Sequence, residues 1–405
     1  MGGIGRLGKK VFVVLSILSI VCLSTAMVCF ADEADTIEDA FKGGKVSGTI
    51  GSYIEHRIAE ASDSDFGWST AYLTLKYETL SWNRLKFGAR FFAHGELHSD
   101  HDNETTDPYN VDIEKKFTLP EMYLTYGFLD DSSATVGRWK NVGHIDDAQS
   151  EGGYVKIKEI ENLEILVGVM TRFAEADYDD NEDFGRSNDA QDLDADSTYG
   201  ENSSSYLIFL EATYKPMDFL KLNPFYMHHD DYANVTGIET HVKGEWEEHE
   251  IKYGGKIIYE HVNADIAGSS DADIFVVMPY IKKGPVALDF SYQKYDDGDS
   301  LNHPAWAKDS FNLVDQDAAK NNAGAEVFET RIKLTIDKVW TSFAFATADF
   351  DTSATEGDGY QDYELQVGYQ ITDNLDINVR YFMVSFDNID DKDYDKVESR
   401  VRFKF

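Results

Sequence analysis

The sequence predicts an all-β protein whose strands close into a transmembrane antiparallel barrel of about 16–18 strands, with 18 as the favoured number. Three observations support this prediction. Apolar and polar residues alternate over most of the chain, short and long connections follow one another in turn, and the last strand ends on the aromatic residue Phe405. A membrane barrel pairs its backbone groups by closing on itself, and its strands alternate lipid-facing apolar residues with lumen-facing polar residues.

The first 31 residues have the features of a secretory signal peptide. Basic residues between positions 6 and 10 precede an apolar run, and Ala31 offers a small-residue cleavage site. An uncleaved membrane anchor is the alternative, because the run approaches the length that spans a bilayer. Cleavage would remove both cysteines and leave a mature chain without disulfides. We predict one barrel domain over residues 32–405, with no linker.

The charge balance is strongly acidic. The 405 residues include 74 acidic and 37 basic side chains, so the formal net charge is −37. Loss of residues 1–31 removes three basic residues and no acidic one, which takes the net charge to −40. Such a surface repels nucleic acid, which we therefore exclude as a partner. In a membrane barrel, acidic loops facing a divalent-rich outer leaflet would account for the charge.

A short helical segment, residues 35–44, is expected before the first strand and on the periplasmic side. We expect the helix to run from Thr36 to Phe41, with Asp35 as its cap and an end at Gly43-Gly44.

Period-two alternation then marks the strands. Between Leu85 and His98, for example, apolar residues at odd positions alternate with Lys86, Arg90 and His94. About sixteen such strands are clear, and an additional hairpin between Asp230 and Ala272 makes eighteen.

The connections between strands are of two kinds. Short polar turns, such as Glu161-Asn162 and Thr372–Asn374, alternate with long acidic segments, such as residues 98–116 and 174–203. Short turns on one side and long loops on the other are typical of an outer-membrane barrel. Both chain termini then lie on the short-turn side.

Three places in the sequence resemble a known family. Residues 35–48 (DTIEDAFKGGKVSG) are similar to the opening of Opr-type (OprD-like) bacterial outer-membrane porins. Residues 136–139 (VGRW), followed by acidic residues, resemble the Gly-Arg motif that leads into that family's inward-folding loop. Phe405 resembles the terminal signal that barrel-assembly machinery recognises. The resemblance implies passive, channel-mediated uptake of small polar solutes, and a monomer or a trimer.

Candidate pore-lining residues follow from the alternation and from this motif. The basic residues predicted to face the lumen are Arg57, Arg90, Lys156, Lys158, Arg331, Lys333, Arg380, Arg400 and Arg402. Arg138 lies beside the expected inward loop, where Asp146, Asp147 and Glu151 offer an acidic counterface. Opposed rows of charge would orient dipolar solutes in a selective pore. The alternative is that these charges only solvate the inner wall of a wide barrel.

The sequence predicts no resident cofactor and no catalytic residue. Asp192, Asp194 and Asp196 resemble the start of a calcium loop, but position twelve of that loop is Ser203 rather than Glu. We therefore expect solvated acidic loops with loosely bound Ca²⁺ or Mg²⁺ near lipopolysaccharide, and no specific metal site.

The favoured interpretation is a porin of the outer membrane of a Gram-negative bacterium. It would conduct ions and small polar solutes and be mildly selective. The alternatives are an outer-membrane barrel enzyme, for which no Ser–His–acid set stands out, and a secreted all-β glycan-binding protein. Ion preference stays open at this stage: acidic loops favour cations, basic lumen residues favour anions, and we lean towards cations because the net charge is negative.

Overall fold

The computed structural model contains eighteen antiparallel strands in one sheet. It describes residues 34–59, 66–99, 117–140, 142–145, 149–174, 206–229, 233–264, 271–295, 313, 324–350, 359–387 and 393–405. The strands are β1 (Lys45–Ala59), β2 (Phe66–Glu78), β3 (Leu85–Ser99), β4 (Phe117–Gly127), β5 (Ser133–Lys140), β6 (Gln149–Ile160), β7 (Leu163–Ala174), β8 (Leu207–Met217), β9 (Leu220–His229), β10 (Ala233–Trp246), β11 (Ile251–Ala264), β12 (Ala272–Lys283), β13 (Val286–Tyr295), β14 (Glu326–Ile336), β15 (Val339–Asp349), β16 (Gly359–Thr372), β17 (Leu375–Phe386) and β18 (Tyr394–Lys404).

The sheet closes into a barrel. Each strand pairs with its neighbours in chain order, and β1 pairs with both β2 and β18. Tyr53 of β1, for example, is opposite Arg400 of β18. Closure leaves no unpaired edge strand, so the backbone of every strand has partners on both sides. The predicted barrel and the count of eighteen are confirmed, and β10 and β11 are the additional hairpin.

A helix precedes the barrel. Helix α1 (Ile37–Lys42) ends at Gly43, and Phe41 stacks on the rings of Tyr77 and Phe87. Its N-cap is Thr36, whose hydroxyl accepts a hydrogen bond from the backbone N–H of Asp39 at 3.1 Å. The expectation that Asp35 caps the helix was wrong, because the helix begins one residue later than that cap requires.

Short turns join the strands at the end of the barrel that carries the termini. In the two-residue turns of β6–β7 and β14–β15, Asn162 and Asp337 have φ values of 62° and 52°. Asn and Asp tolerate this left-handed conformation better than other non-glycine residues, and hairpin turns require it. The other connections join the strands at the opposite end.

The two faces of the sheet differ in polarity as the alternation predicted. On β16, Tyr363, Leu365 and Val367 are exposed on the outer face, whereas Asp362 and Glu364 are buried in the interior. The same outer apolar row occurs around the barrel, which suits contact with lipid. Within the described ranges, no helix has the length and apolar character needed to cross a membrane.

The interior also contains an apolar cluster that the alternation did not predict. Met170, Leu207, Val235, Ile258 and Ile274 face inward near the long-connection end, and each is at most 1% exposed. Apolar side chains on a lumen wall would otherwise meet water, so their burial indicates that protein fills this part of the barrel.

Candidate functional site

The connection between β5 and β6 enters the barrel. Its described part, residues 142–145, is here called the inward segment. Ile145 is buried and packs into the interior apolar cluster, and Val142 packs against the same cluster. The strands that the segment contacts include β10 and β11, which lie four and five strands beyond β6 in the sheet. The segment therefore leaves its own hairpin and lies along the inner wall formed by the next strands.

His144 supplies the polar and stacking contacts between the inward segment and β9–β11. Its ring stacks on Phe225 of β9, with 3.7 Å between centroids and 18° between the planes. Its Nε2 lies 3.3 Å from Oε2 of Glu260 on β11, and its Nδ1 lies 3.9 Å from Oε2 of Glu239 on β10. Glu260 is fully buried, so its contact with His144 is shielded from bulk water.

The backbone of the inward segment is fixed as well. The backbone N–H of His144 donates a hydrogen bond to the carboxylate of Glu211 on β8. Gly143 has φ of +72°, and a Cβ at this position would collide with the same carboxylate. Glycine therefore permits both the left-handed backbone and the close approach.

A second connection also contacts the inner wall. The backbone N–H of Leu313, between β13 and β14, donates to Oε1 of Glu329 at 3.1 Å. The carbonyl oxygen of Leu313 accepts from Nη1 of Arg331 at 3.3 Å. A cavity of about 790 Å³ lies beside this contact, and its lining includes Lys221, Lys256 and Arg331. Basic side chains thus border the open part of the lumen here.

The predicted basic residues mostly occur in ion pairs with inward carboxylates. Arg380 of β17 lies between Glu364 of β16 and Glu398 of β18, at 3.2 Å from each. The other paired members are Arg331 with Asp289 (3.1 Å), Arg402 with Asp376 (3.2 Å), Arg90 with Glu121 (3.1 Å), and Lys156 and Lys158 with Glu164 (3.3 and 2.6 Å). This wall therefore carries much less net positive charge than the basic residues alone suggest.

Three predicted residues have other surroundings. The guanidinium of Arg57 lies 3.4 Å from the ring centroid of Tyr394, close enough for a cation–π interaction. Arg400 is opposite Tyr53 on one side and Asn378 on the other. Lys333 is opposite Ser342 and forms no ion pair with any residue that the structure describes. Among the described residues, Lys333 is therefore a basic side chain of the wall that is not within ion-pair distance of a carboxylate.

The predicted constriction motif lies elsewhere than expected. Nε of Arg138 is 2.9 Å from Oε2 of Glu151, and the strand register aligns both residues with Met122, which is exposed on the outer face. The adjacent positions, Trp139 and Ser150, are buried and take the inward places. Because alternate strand residues face opposite sides, this pair departs from the predicted lumen position. Asp146 and Asp147 lie outside the described residues.

The remaining predictions concern the chain end and metals. Phe405 exchanges two backbone hydrogen bonds with Gly48, at 3.0 and 3.1 Å, and so belongs to the seam where the barrel closes. Asp192, Asp194 and Asp196 lie outside the described residues. Within the described residues, no group of three or more His, Cys, Asp or Glu side chains is arranged to hold a metal ion.

Sequence reasoning missed His144 and its partners. Glu239 and Glu260 fall within the hairpin predicted between Asp230 and Ala272, but no local pattern links them to a histidine about a hundred positions earlier. The only sequence signal is Gly143-His144 inside the short segment between the Gly-Arg motif and β6. That signal identifies an unusual turn, not its partners.

Comparison with known proteins adds the following. No protein-family model matches the chain, and no curated protein matches it significantly. Solved structures match over nearly the whole barrel. Pseudomonas aeruginosa OccK9 (OpdG) shares 13% identity, with 90% of this chain and 99% of that chain covered and a TM-score of 0.73. Pseudomonas aeruginosa OpdQ shares 16% identity over 91% and 99%, with a TM-score of 0.69.

A BenF-like porin from Pseudomonas fluorescens Pf-5 shares 14% identity over 90% of this chain and 99% of that chain, with a TM-score of 0.73. Structural neighbours of this group are OprD-family porins, so the fold implied by the sequence resemblance is confirmed. At these identities the likeness concerns the fold: the chain has the 18-strand barrel architecture of OprD-type porins.

Proposed function

We propose that the protein is an outer-membrane porin, a water-filled channel for passive diffusion of ions and small polar solutes. The observation that carries this proposal is a closed 18-strand barrel with an apolar outer face and a charged interior that the inward segment narrows. An apolar outer face requires a lipid environment, and a charged interior requires water. The likeness to porin structures supports the same function.

The path for solutes follows from the positions of the inward segment and the charged wall. The inward segment packs against β8–β11, and the lumen that it leaves open is bordered by the cavity beside Lys221 and Lys256 and by the wall of β14–β18, which carries Lys333 and the Arg380 ion pairs. Fixed charges along this wall replace part of an ion's hydration during passage.

We expect the channel to prefer cations mildly. Most basic residues of the wall are compensated by carboxylates, whereas residues 175–205, one of the long connections, contain eleven carboxylates and a single arginine. An acidic mouth concentrates cations within a Debye length of its surface. Loosely bound Ca²⁺ or Mg²⁺ at these connections, next to lipopolysaccharide, belongs to the same proposal.

The proposed location is the outer membrane of a Gram-negative bacterium, reached after cleavage of residues 1–31. Phe405 in the closing seam supports recognition of the chain end by barrel-assembly machinery. A monomer and a trimer are both compatible with the fold.

The test is to refold residues 32–405 in detergent, confirm heat-modifiable gel mobility, and record planar-bilayer currents under a salt gradient. Discrete conductance steps with a reversal potential of cationic sign are expected. A heat-modifiable barrel that inserts but conducts nothing would contradict the proposed function.

A further inference from the structure

We propose that His144 is the positioning residue of the pore constriction: its side chain holds the inward segment inside the lumen against β9–β11, and its loss widens the channel. The expected effect on conductance rests on the proposed porin function, whereas the position of the segment does not.

The contacts of His144 are those of an anchor. The segment has four described residues between two strands, and the ring of His144 contacts three successive strands through Phe225, Glu239 and Glu260. An imidazole supplies what this place requires, namely a flat ring for stacking and two nitrogen atoms that point in different directions. A smaller or aliphatic side chain supplies neither.

The contacts of His144 are buried. His144 and Glu260 are 6% and 0% exposed, so their interaction is little screened by salt or water. Removing one member of a buried polar pair leaves the other without that partner, which is far more costly than the net gain from forming the pair. Loss of the imidazole ring would therefore destabilise the position of the inward segment against β9–β11.

The inward segment lies close to the inner face of β7 and β8. Val142 and Gly143 lie over Leu166 and Glu211, and the space between them is a cavity of about 90 Å³. A space of this size holds a few water molecules and no larger solute. Solutes must pass on the other side of the segment. The position at which His144 holds the segment therefore sets the width of the open lumen.

The experiment compares His144→Ala with His228→Ala. His228 lies on β9 near Phe225 in sequence, but it faces the opposite side and contacts Asn234, so it is a matched histidine outside the seat. We expect single-channel conductance to rise roughly twofold in His144→Ala and to stay unchanged in His228→Ala. The conservative variant His144→Gln keeps a hydrogen-bonding group but loses the stacked ring, and should give an intermediate conductance.

A second readout reports the position of the segment directly. Residues 32–405 contain no cysteine, so Leu166→Cys introduces a single thiol beneath the inward segment. A charged thiol reagent should modify this cysteine slowly when His144 is present and about tenfold faster in the Leu166→Cys/His144→Ala variant. The Leu166→Cys/His228→Ala variant should behave as Leu166→Cys alone.

The outcomes separate the two proposals. Unchanged labelling and unchanged conductance in heat-modifiable His144→Ala protein would overturn the role of His144. If His144→Ala fails to fold, the labelling rate and the conductance of His144→Gln decide whether His144 positions the segment. If the parent barrel conducts nothing, the porin proposal fails, whereas the labelling rates still decide whether His144 holds the segment.

Discussion

Arg331 of β14 donates a hydrogen bond from Nη1 to the backbone carbonyl oxygen of Leu313, 3.3 Å away. The same guanidinium pairs with Asp289 at 3.1 Å. One side chain therefore links the inner wall to a residue of the long connection between β13 and β14. In a proposed channel, this makes Arg331 a determinant of both the charge and the width of the lumen.

Substitution of Arg331 tests this double role. Arg331→Ala should raise conductance, because Leu313 then loses its hydrogen bond to Arg331 and keeps the one to Glu329. The variant should also strengthen cation preference, because Asp289 loses its ion pair with Arg331. We expect the cation-to-anion permeability ratio to rise about twofold, as measured by reversal potential under a salt gradient. Lys283→Ala, at the exposed end of β12, is the control. Equal reversal potentials for the two variants would contradict the prediction.

Lys333 offers a cleaner test of the wall charge, because its substitution breaks no ion pair among the described residues. Lys333→Glu should shift the reversal potential towards cations, with roughly a twofold or larger change in the permeability ratio, while heat-modifiable mobility stays normal. Lys338→Glu makes the same charge change in the β14–β15 turn and should have a smaller effect. The prediction is wrong if the turn variant shifts selectivity as much as Lys333→Glu.

The outward pair of Arg138 and Glu151 should affect stability and not conduction. Glu151→Gln removes the carboxylate that pairs with Arg138 on a mainly apolar face, and we expect a loss of about 1–2 kcal/mol in unfolding free energy. The double variant Arg138→Met/Glu151→Met should recover much of this loss, because neither charge then remains. Urea unfolding in lipid vesicles measures the stability.

Single-channel recordings of the same variants complete this test. Conductance and reversal potential should equal those of the parent protein. A change in selectivity would instead support the lumen position that the Gly-Arg motif predicted for the pair.

The closing seam can be tested at the chain end. Phe405 and Gly48 exchange two backbone hydrogen bonds, and Gly48 lies against the Phe405 ring. Phe405→Ala should lower the amount of heat-modifiable protein in the outer membrane several-fold, because the aromatic end lies in the closing seam and is the residue that we propose assembly machinery to recognise. Lys404→Ala, one residue earlier, is the control and should assemble at the parent level, as followed by unboiled gel mobility of outer-membrane fractions.

The barrel could be predicted from the sequence because its main signal is local. Alternation along β16 or β18 needs only the period of an extended chain, and the short turns at Asn162 and Asp337 need only residues that tolerate a left-handed backbone. The inward face of Arg380, Arg402 and Lys333 followed from the same period. Their carboxylate partners did not, because cross-strand pairing depends on register.

The sequence by itself thus favoured eighteen strands and indicated the apolar outer face, the end that carries the termini and the inward side of the basic residues other than Arg138. Only the tertiary structure decided that His144 meets Glu239 and Glu260, that Arg138 faces outward with Glu151, and that Met170, Leu207 and Ile258 form an apolar cluster inside the barrel. The reason is physical. Side-chain direction along a strand is set by neighbouring residues, whereas contacts across a lumen depend on barrel closure and on the path that each connection takes through the interior.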